Sequence, residues 1–375
     1  MRDEIQIAVV GAGPAGSTAA ETAAAQGANV ALIDRKEEIG TPVQCGGFLP
    51  KTHELQGLMP RAHLPSTLVD IPERCILHKT SLQRIYSPSG KAKEFPVAGR
   101  VLDRRAFDHH LAYRAARAGA KVFPATRAVL MNGELLLKGR FSGSITPQVV
   151  IGADGPLSGV ARSVGLPMGE LGICLEYEMA DVQIDDKAAE MYFSTRFAPG
   201  GYAWIIPLGQ DMANVGVGVR SSYLGKSSLP QVLDRFVQEH PVAGEKLRRG
   251  EVLAVMRGVV PAGGSPGKIQ HGNVLLAGDA AGHCMATSGG GIPLAAVAGR
   301  VAGEVAAEHV KGVSGLQEYQ SRIHSEFGRE LDRSVQIRKM VDVVMRSDRL
   351  IDALFGALSP DQMKSVMRAQ IPPAL

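Results

Sequence analysis

The sequence predicts an α/β fold: a Rossmann-like domain with an inserted antiparallel-sheet region and a helical C-terminus. Three observations predict it. A short apolar strand, Ile5–Val10, runs directly into Gly11-Ala12-Gly13-Pro14-Ala15-Gly16 and an Ala-rich helical stretch. A second apolar run, Val274–Ala277, ends in Gly278-Asp279 far down the chain. Between them, residues from about 170 to 265 change to the alternation of antiparallel strands.

The bulk numbers agree with two domains. The chain has 375 residues, 45% of them hydrophobic and 44 of them glycine. That is enough apolar surface for a large core, and enough glycine for many tight βα turns. A formal charge of +4 is too small and too dispersed for a nucleic-acid partner. The four cysteines, Cys45, Cys75, Cys174 and Cys284, form no C-x-x-C pair, which argues against a zinc site or disulfide framework and for a reducing compartment. No apolar stretch approaches the roughly 20 residues of a spanning helix, and the N-terminus lacks a secretory pattern. The expected location is cytoplasmic, with peripheral contact at the inner face of a membrane left open.

The elements follow in order. Ile5–Val10, the glycine turn, a helix to Gln26-Gly27 and a strand Asn29–Ile33 ending at Asp34 make a βαβ start. Residues 38–100 are mixed, with strand-like runs such as Leu82–Tyr86. A helix is expected from Arg104 to Gly119, a hairpin turn at Met131-Asn132-Gly133-Glu134, and a strand Val149–Ile151 before Gly152-Ala153-Asp154-Gly155. Glu190–Phe193, Tyr202–Ile206 and Asn214–Val219 read as sheet, interrupted by a helix at 228–239. The turn 288–291 opens a long Ala/Val helix, and from about 315 the pattern is helical. The expected division is 1–165 with 266–312 for the nucleotide domain, 166–265 for the substrate sheet and 313–375 for the C-terminal helices. Residues 45–100 contribute partly to the substrate side.

Gly11-x-Gly13-x-x-Gly16 after a strand and before a helix is a dinucleotide motif. Gly11 permits the tight turn, Gly13 lets pyrophosphate approach, and Gly16 lets helix and strand pack closely. Pro14 and Ala15 open a helix whose free N–H groups and dipole favour phosphate. Asp34 would bind the ribose hydroxyls, with Arg35 beside it.

Further segments favour FAD over NAD. Gly278-Asp279-Ala280 after a strand resembles the second flavin motif of the glutathione-reductase-type FAD fold, where the Asp holds the ribityl chain. Gly290-Gly291-Ile292 would present backbone N–H groups to the flavin. Gly152-Ala153-Asp154-Gly155 with Ser158 and Arg162 resembles the DG motif of group A flavin monooxygenases, the p-hydroxybenzoate hydroxylase-like superfamily. Asp103-Arg104-x-x-Phe107-Asp108 resembles the helix start from which an Arg reaches the cofactor there.

The middle is more specific. Ala198-Pro199-Gly200-Gly201-Tyr202-Ala203-Trp204-Ile205-Ile206-Pro207 is similar to the P-x-x-Y-x-W-x-F-P signature of the geranylgeranyl reductase family. Val43-Gln44-Cys45-Gly46-Gly47 resembles that family's Cys-Gly-Gly segment, and Ala213–Gly218 also fits. The likeness covers roughly residues 5–330. Ile206 stands where the family usually has Phe, and the segment Ser288–Gly291 lacks the acidic residue often found there. The resemblance implies an FAD-dependent reductase of isolated C=C bonds in geranylgeranyl chains, closest to the archaeal lipid members. Its substrate would be an isoprenoid lipid. With one dinucleotide unit in the chain, electrons would come from transiently docked NADPH or from a ferredoxin-like protein.

An isolated alkene has no carbonyl to hold negative charge. The site must place a greasy chain over the flavin, exclude water and supply a proton. Tyr202 and Trp204 alternate along a strand and would wall one face, favouring a partly positive carbon; core packing is the plainer explanation of the same pair. Cys45 would touch the reacting bond, steer it or relay a proton, against the reading of a small buried hydrophobe. Cofactor contacts are expected from Cys45, Gly46 and Gly47, and Cys284 is expected to be packing. His283 is a lesser candidate acid. Met340, Val341, Val344, Met345, Leu350, Ile351, Leu354 and Phe355, interleaved with Arg338, Lys339, Arg346 and Arg349, fit either a membrane-resting face or packing on the body. Three other functions compete: a flavin monooxygenase or halogenase, a non-catalytic flavin-binding protein, and a nicotinamide-only dehydrogenase.

Overall fold

Ile7–Val10 is buried at all four positions, so both faces of this strand must be covered by protein, as in a parallel sheet. In the computed structural model, which describes residues 4–166, 169–225 and 227–370, it lies inside a six-stranded sheet. The strand order is Gln270–His271, Val274–Leu276, Val149–Gly152, Ile7–Val10, Val30–Ile33, Lys121–Phe123. Every ladder is parallel except the first, an edge pair.

Two helices of small residues cover this sheet. Pro14–Ala25 and Ile292–Val310 come so close that a Cβ on Gly299 would sit 2.2 Å from the Ala15 carbonyl oxygen. A Cβ on Gly303 would lie 2.5 Å from that of Ala19. Arg104–Arg117, N-capped by Asp103 through the Ala106 N–H at 3.0 Å, is tied to the first helix by Arg114 and Glu21 at 2.7 Å. Asn132 and Gly133 both have positive φ, at 50° and 82°, in the turn between strands Thr126–Met131 and Glu134–Gly139.

The second sheet has eight strands. Their order is Glu251–Pro261, Leu171–Ala180, Ala213–Arg220, Tyr202–Pro207, Ala188–Tyr192, Ile76–Tyr86, Ala92–Leu102, Phe48–Pro50. It is antiparallel apart from one ladder, where Ala188–Tyr192 runs parallel to Ile76–Tyr86. The mixed segment 38–100 therefore supplies a long hairpin to the same sheet as residues 171–261. The run Leu82–Tyr86 is only the end of an 11-residue strand.

Period-2 alternation gives this sheet two faces. On one, Leu175, Val215, Val217, Ala203, Ile205 and Tyr192 pack with Val232, Leu233, Phe236 and Val237 of helix Leu229–Glu239. Glu190, 1% exposed, is closed there by Lys246 at 2.7 Å, Arg84 at 2.8 Å and the Tyr192 hydroxyl at 2.5 Å. The other face looks toward the parallel sheet and lines the site.

The C-terminal helices Arg329–Val344, Asp348–Ala357 and Pro360–Met367 close the far end. Met345, Ile351, Phe355, Leu358 and Met363 form a third core with Ile85, Phe95, Val97 and Met191. Arg220 holds Asp342 in a fork at 2.7 and 2.6 Å, and Arg368 pairs with Glu54. Among the described residues, no helix is long and apolar enough to cross a membrane.

Candidate active site

The glycine motif has the geometry its spacing predicts. Gly11 has φ +103°, and a Cβ there would lie 2.2 Å from the Ala153 carbonyl oxygen. A Cβ on Gly16 would come within 1.8 Å of the Gly11 carbonyl oxygen. Gly13 faces open space, with nothing within 4 Å of a built Cβ. Pro14 and Ala15 begin a helix with no side-chain cap and no acid in its first turn. Asp34 is fixed at the strand end by the Ala12 N–H at 2.7 Å and the Lys36 N–H at 2.8 Å, while Arg35 is exposed beside it.

The DG segment meets the same turn through Ala153. The Asp154 carboxylate is engaged within its own loop, accepting from the Ser158 hydroxyl at 2.5 Å and the Gly159 and Val160 N–H groups at 2.7 and 3.2 Å. The structure thus gives Asp154 a local turn-forming role, with Gly155 following at φ +84°.

The second flavin-type segment closes on the first. A Cβ on Gly278 would lie 2.9 Å from the Ala15 Cβ. Asp279 and Ala280 are half-buried, and the Asp279 carboxyl makes no hydrogen bond among the described residues. Burial pushes that carboxyl up to about 6, against the pull of Arg104. Its Oδ1 lies 3.2 Å from where a Cβ on Gly291 would be. Gly291 caps helix Ile292–Val310 without a side chain, so that helix start is also open.

From here a cavity of about 430 Å³ extends to the C-terminal helices. Strand register builds its floor. Tyr202, Trp204 and Ile206 pair with Gly218, Gly216 and Asn214, and Gly218 and Gly216 pair with Cys174 and Glu176. Trp204 lies flat on the glycines: a Cβ on Gly216 would be 2.3 Å from its Cζ2. The rings of Tyr202 and Trp204 are 5.8 Å apart, and Phe193 and Phe355 continue the aromatic wall. The Tyr202 hydroxyl donates to the Ser288 carbonyl at 2.5 Å, tying this wall to the Ser288–Gly291 turn.

Cys45, Gly46 and Gly47 line the same cavity. The close approaches of their glycines are to the sheet. A Cβ on Gly46 would lie 2.8 Å from Ile206 Cδ1 and 3.4 Å from Trp204 Nε1, and one on Gly47 would lie 2.6 Å from the Leu102 carbonyl oxygen. The Cys45 sulfur accepts from the Gly47 N–H at 3.4 Å and sits against Arg104. Arg104 is bound by both Asp108 oxygens, at 3.1 and 3.0 Å, and these contacts hold its guanidinium firmly charged.

His283 is fully buried against Phe327, with neither ring nitrogen hydrogen-bonded. Burial lowers it to about 3, so it is neutral and cannot serve as an acid near pH 7. Two cavity residues, Cys174 and Glu176, carry no sequence motif; Asn214, from the Ala213–Gly218 segment, joins Glu176 to the aromatic wall. Trp204 Nε1 donates to Asn214 Oδ1 at 2.7 Å, and Asn214 Nδ2 donates to Glu176 Oε2 at 3.0 Å. The signal for Glu176 was the alternation of Cys174, Glu176 and Glu178 with Leu175, Tyr177 and Met179. Such a pattern ordinarily marks a water-facing side.

Two uncapped helix starts, an open glycine at the first of them and an unpaired half-buried carboxyl suit a dinucleotide with a polyhydroxyl chain. FAD fits them, and the apolar cavity beside it would take the substrate. This arrangement defines the class as an FAD-dependent oxidoreductase. Residues 170–260 match the geranylgeranyl reductase catalytic domain and residues 9–54 an NAD(P)-binding Rossmann-like domain. The chain is 34% identical to digeranylgeranylglycerophospholipid reductase 2 of Methanopyrus kandleri, over 98% of this chain and 93% of that protein. It is 36% identical to the digeranylgeranylglycerophospholipid reductase of Methanocaldococcus jannaschii, over 96% and 91%. The chain belongs to the geranylgeranyl reductase family. The crystal structure of a geranylgeranyl bacteriochlorophyll reductase-like protein from Thermoplasma acidophilum matches with a TM-score of 0.84 at 29% identity, covering 97% of this chain and 95% of that one. A flavin-dependent brominase shares the fold alone, with a TM-score of 0.74 at 16% identity over 98% and 93%.

Proposed function

We propose that this protein hydrogenates isolated C=C bonds in the geranylgeranyl chains of a glycerolipid of archaeal type. The observation that carries the reading is the cavity: an aromatic-walled apolar channel running from the Ser288–Gly291 turn, beside Asp279, to the C-terminal helices. An isoprenoid chain is the ligand such a channel suits.

The Gly11–Gly16 turn, Asp34, Asp279 and the Gly290-Gly291-Ile292 helix start would hold the FAD. Reduced FAD supplies the hydride. Tyr202 and Trp204 wall the bound chain and face the carbon that gains positive character. Phe193 and Phe355 exclude water along the tail. Cys45, anchored by the Gly47 N–H and set against Arg104, would steer the bond at the cofactor end.

The outer surface supports lipid entry by peripheral contact. Lys339, Arg346 and Arg349 are exposed beside Met340, Val343 and Leu350. Val341, Val344 and Met345 on the same segment line the cavity. The electrons would come from transiently docked NADPH or a ferredoxin-like donor.

The test is anaerobic. The purified holoenzyme is reduced with dithionite, mixed with a geranylgeranyl glycerolipid, and followed by flavin absorbance and product mass. Flavin reoxidation with a gain of about two mass units per event, one hydride plus one proton, establishes the activity. A flavin that stays reduced until oxygen enters, over an unchanged lipid, overturns it in favour of a monooxygenase.

A further inference from the structure

Glu176 is 2% exposed, yet it lies on the cavity face of its strand. Its register neighbours there are Gly216 and Met256, so no charged residue stands beside it in the sheet. Only one of its oxygens is hydrogen-bonded, Oε2, by Asn214 at 3.0 Å; Oε1 has no partner among the described residues. Its surroundings from the other elements are Arg104 from helix Arg104–Arg117, Tyr202 from strand Tyr202–Pro207 and Cys174 two residues away. Arg104 is already forked onto Asp108. A buried carboxyl with a free oxygen in an apolar channel is costly to fold, and a hydrophobic residue would pack there more favourably. Its presence asks for a chemical reason.

Resting on the reductase reading above, we infer that Glu176 is the acid that protonates the alkene carbon opposite the one receiving hydride. The proton leaves the Glu176 carboxyl and forms a C–H bond with one carbon as the C=C π pair is drawn to it. The hydride forms the C–H bond at the other carbon. Glu176 is left as a carboxylate, with the flavin oxidised. The carboxylate regains its proton from solvent, and two electrons from the external donor return the flavin to its reduced state.

The other acids facing the channel suit this step less. Burial pushes the Cys174 thiol up to about 12 and the Tyr202 phenol higher still. Glu176 is raised to about 7, burial outweighing the opposing Asn214 and Arg104 contacts, so it holds a transferable proton at neutral pH. The chain Trp204–Asn214–Glu176 fixes the donor against the same wall that holds the substrate.

Wild type and Glu176→Gln decide the matter. Glutamine keeps the size and still accepts from Asn214, but carries no transferable proton. Both holoenzymes are reduced anaerobically and mixed with the geranylgeranyl lipid across about pH 5.5 to 9. The wild-type reoxidation rate is expected to fall roughly tenfold per pH unit above about 7. Glu176→Gln is expected to be about a hundredfold slower and flat in pH, with unchanged flavin content and oxygen-driven reoxidation. Glu176→Asp restores part of the rate and the pH dependence. If Glu176→Gln stays within about threefold of wild type with the same profile, Glu176 is only an anchor for Asn214 and the assignment is overturned. If the wild-type flavin is not reoxidised by the lipid at all, the reductase reading falls and the assignment falls with it.

Discussion

The Trp204 indole N–H donates to Asn214 Oδ1 at 2.7 Å in a position where both residues are buried. Asn214 is 3% exposed and passes its own N–H to Glu176. Asn214→Ala leaves the indole N–H unpaired and removes the hydrogen bond to Glu176. Each unsatisfied buried group costs about 1–3 kcal/mol. Chemical denaturation of Asn214→Ala should therefore show a loss of about 2–4 kcal/mol, with Trp204→Phe costing less. The double variant should lose less than the sum of the two, because they share one bond. Strict additivity would show that the pair is not coupled.

Gly13 and Gly16 should fail in different ways. A Cβ on Gly16 collides with the Gly11 carbonyl at 1.8 Å, a backbone atom that cannot swing aside. Gly16→Ala is expected to lower the melting temperature of the flavin-free protein by several degrees. Gly13 has φ −76° and open space around it, so Gly13→Ala should fold normally. Its methyl occupies the approach of the pyrophosphate, and the protein should purify with little or no yellow colour. Flavin absorbance and melting curves of both variants check this. A yellow Gly13→Ala protein would count against the placement of the pyrophosphate.

The stability that Glu176 and Asp279 contribute should fall as pH rises through weakly acid values. Glu176 is raised to about 7 and Asp279 to about 6. A carboxyl raised in the fold keeps its proton where the unfolded chain has already lost it. Its contribution is whole below about pH 4 and disappears as pH climbs through the folded value. For Glu176 the loss is on the order of 3 kcal/mol, at about 1.4 kcal/mol per unit. His240 and His283, neutral down to about 4 and about 3, act with the opposite sign below about 6.5. The informative quantity is thus the difference between flavin-free wild type and Glu176→Gln. That difference should favour the variant increasingly from about pH 4.5 to 7 and then level off. A difference constant across this window would mean that Glu176 is not raised.

Much of the nucleotide end was legible because its causes are local in sequence. Gly11, Gly13 and Gly16 each answer to a backbone constraint within one turn, and Gly278-Asp279 follows directly from a buried strand. Tyr202 and Trp204 were legible because two residues apart on a strand means one face. Cys174 and Glu176 were not, and neither was the link from Asn214 to Glu176, because these residues meet only through the pairing of Leu171–Ala180, Ala213–Arg220 and Tyr202–Pro207. Register is a long-range property, and an isolated glutamate in an alternating strand looks like a solvated one. Gly46 and Gly47 were read as close approach to a cofactor. The side chains that Gly46 approaches, Ile206 and Trp204, lie far downstream, and Gly47 meets the Leu102 backbone. Asp154 is the reverse case: its motif was visible, while the three hydrogen bonds its carboxylate accepts from its own loop appear only in the fold.

The exposed residues of the C-terminal helices give the last prediction. Met340 and Leu350 are 71% and 48% exposed, in a segment whose inward side chains line the cavity. A body-packed helix alone does not explain large apolar groups pointing outward beside Lys339, Arg346 and Arg349. If this face meets anionic lipid, the apolar groups insert and the cations pair with headgroups. The wild-type protein should sediment with vesicles rich in phosphatidylglycerol and much less with neutral ones. Salt should weaken that binding as the charges are screened. Met340→Glu with Leu350→Glu should reduce vesicle binding several-fold while leaving reduction of a detergent-dispersed lipid unchanged, because neither side chain lines the channel. Equal binding of wild type and the double variant would assign these residues no part in membrane contact and send the search for the lipid entrance elsewhere on the surface.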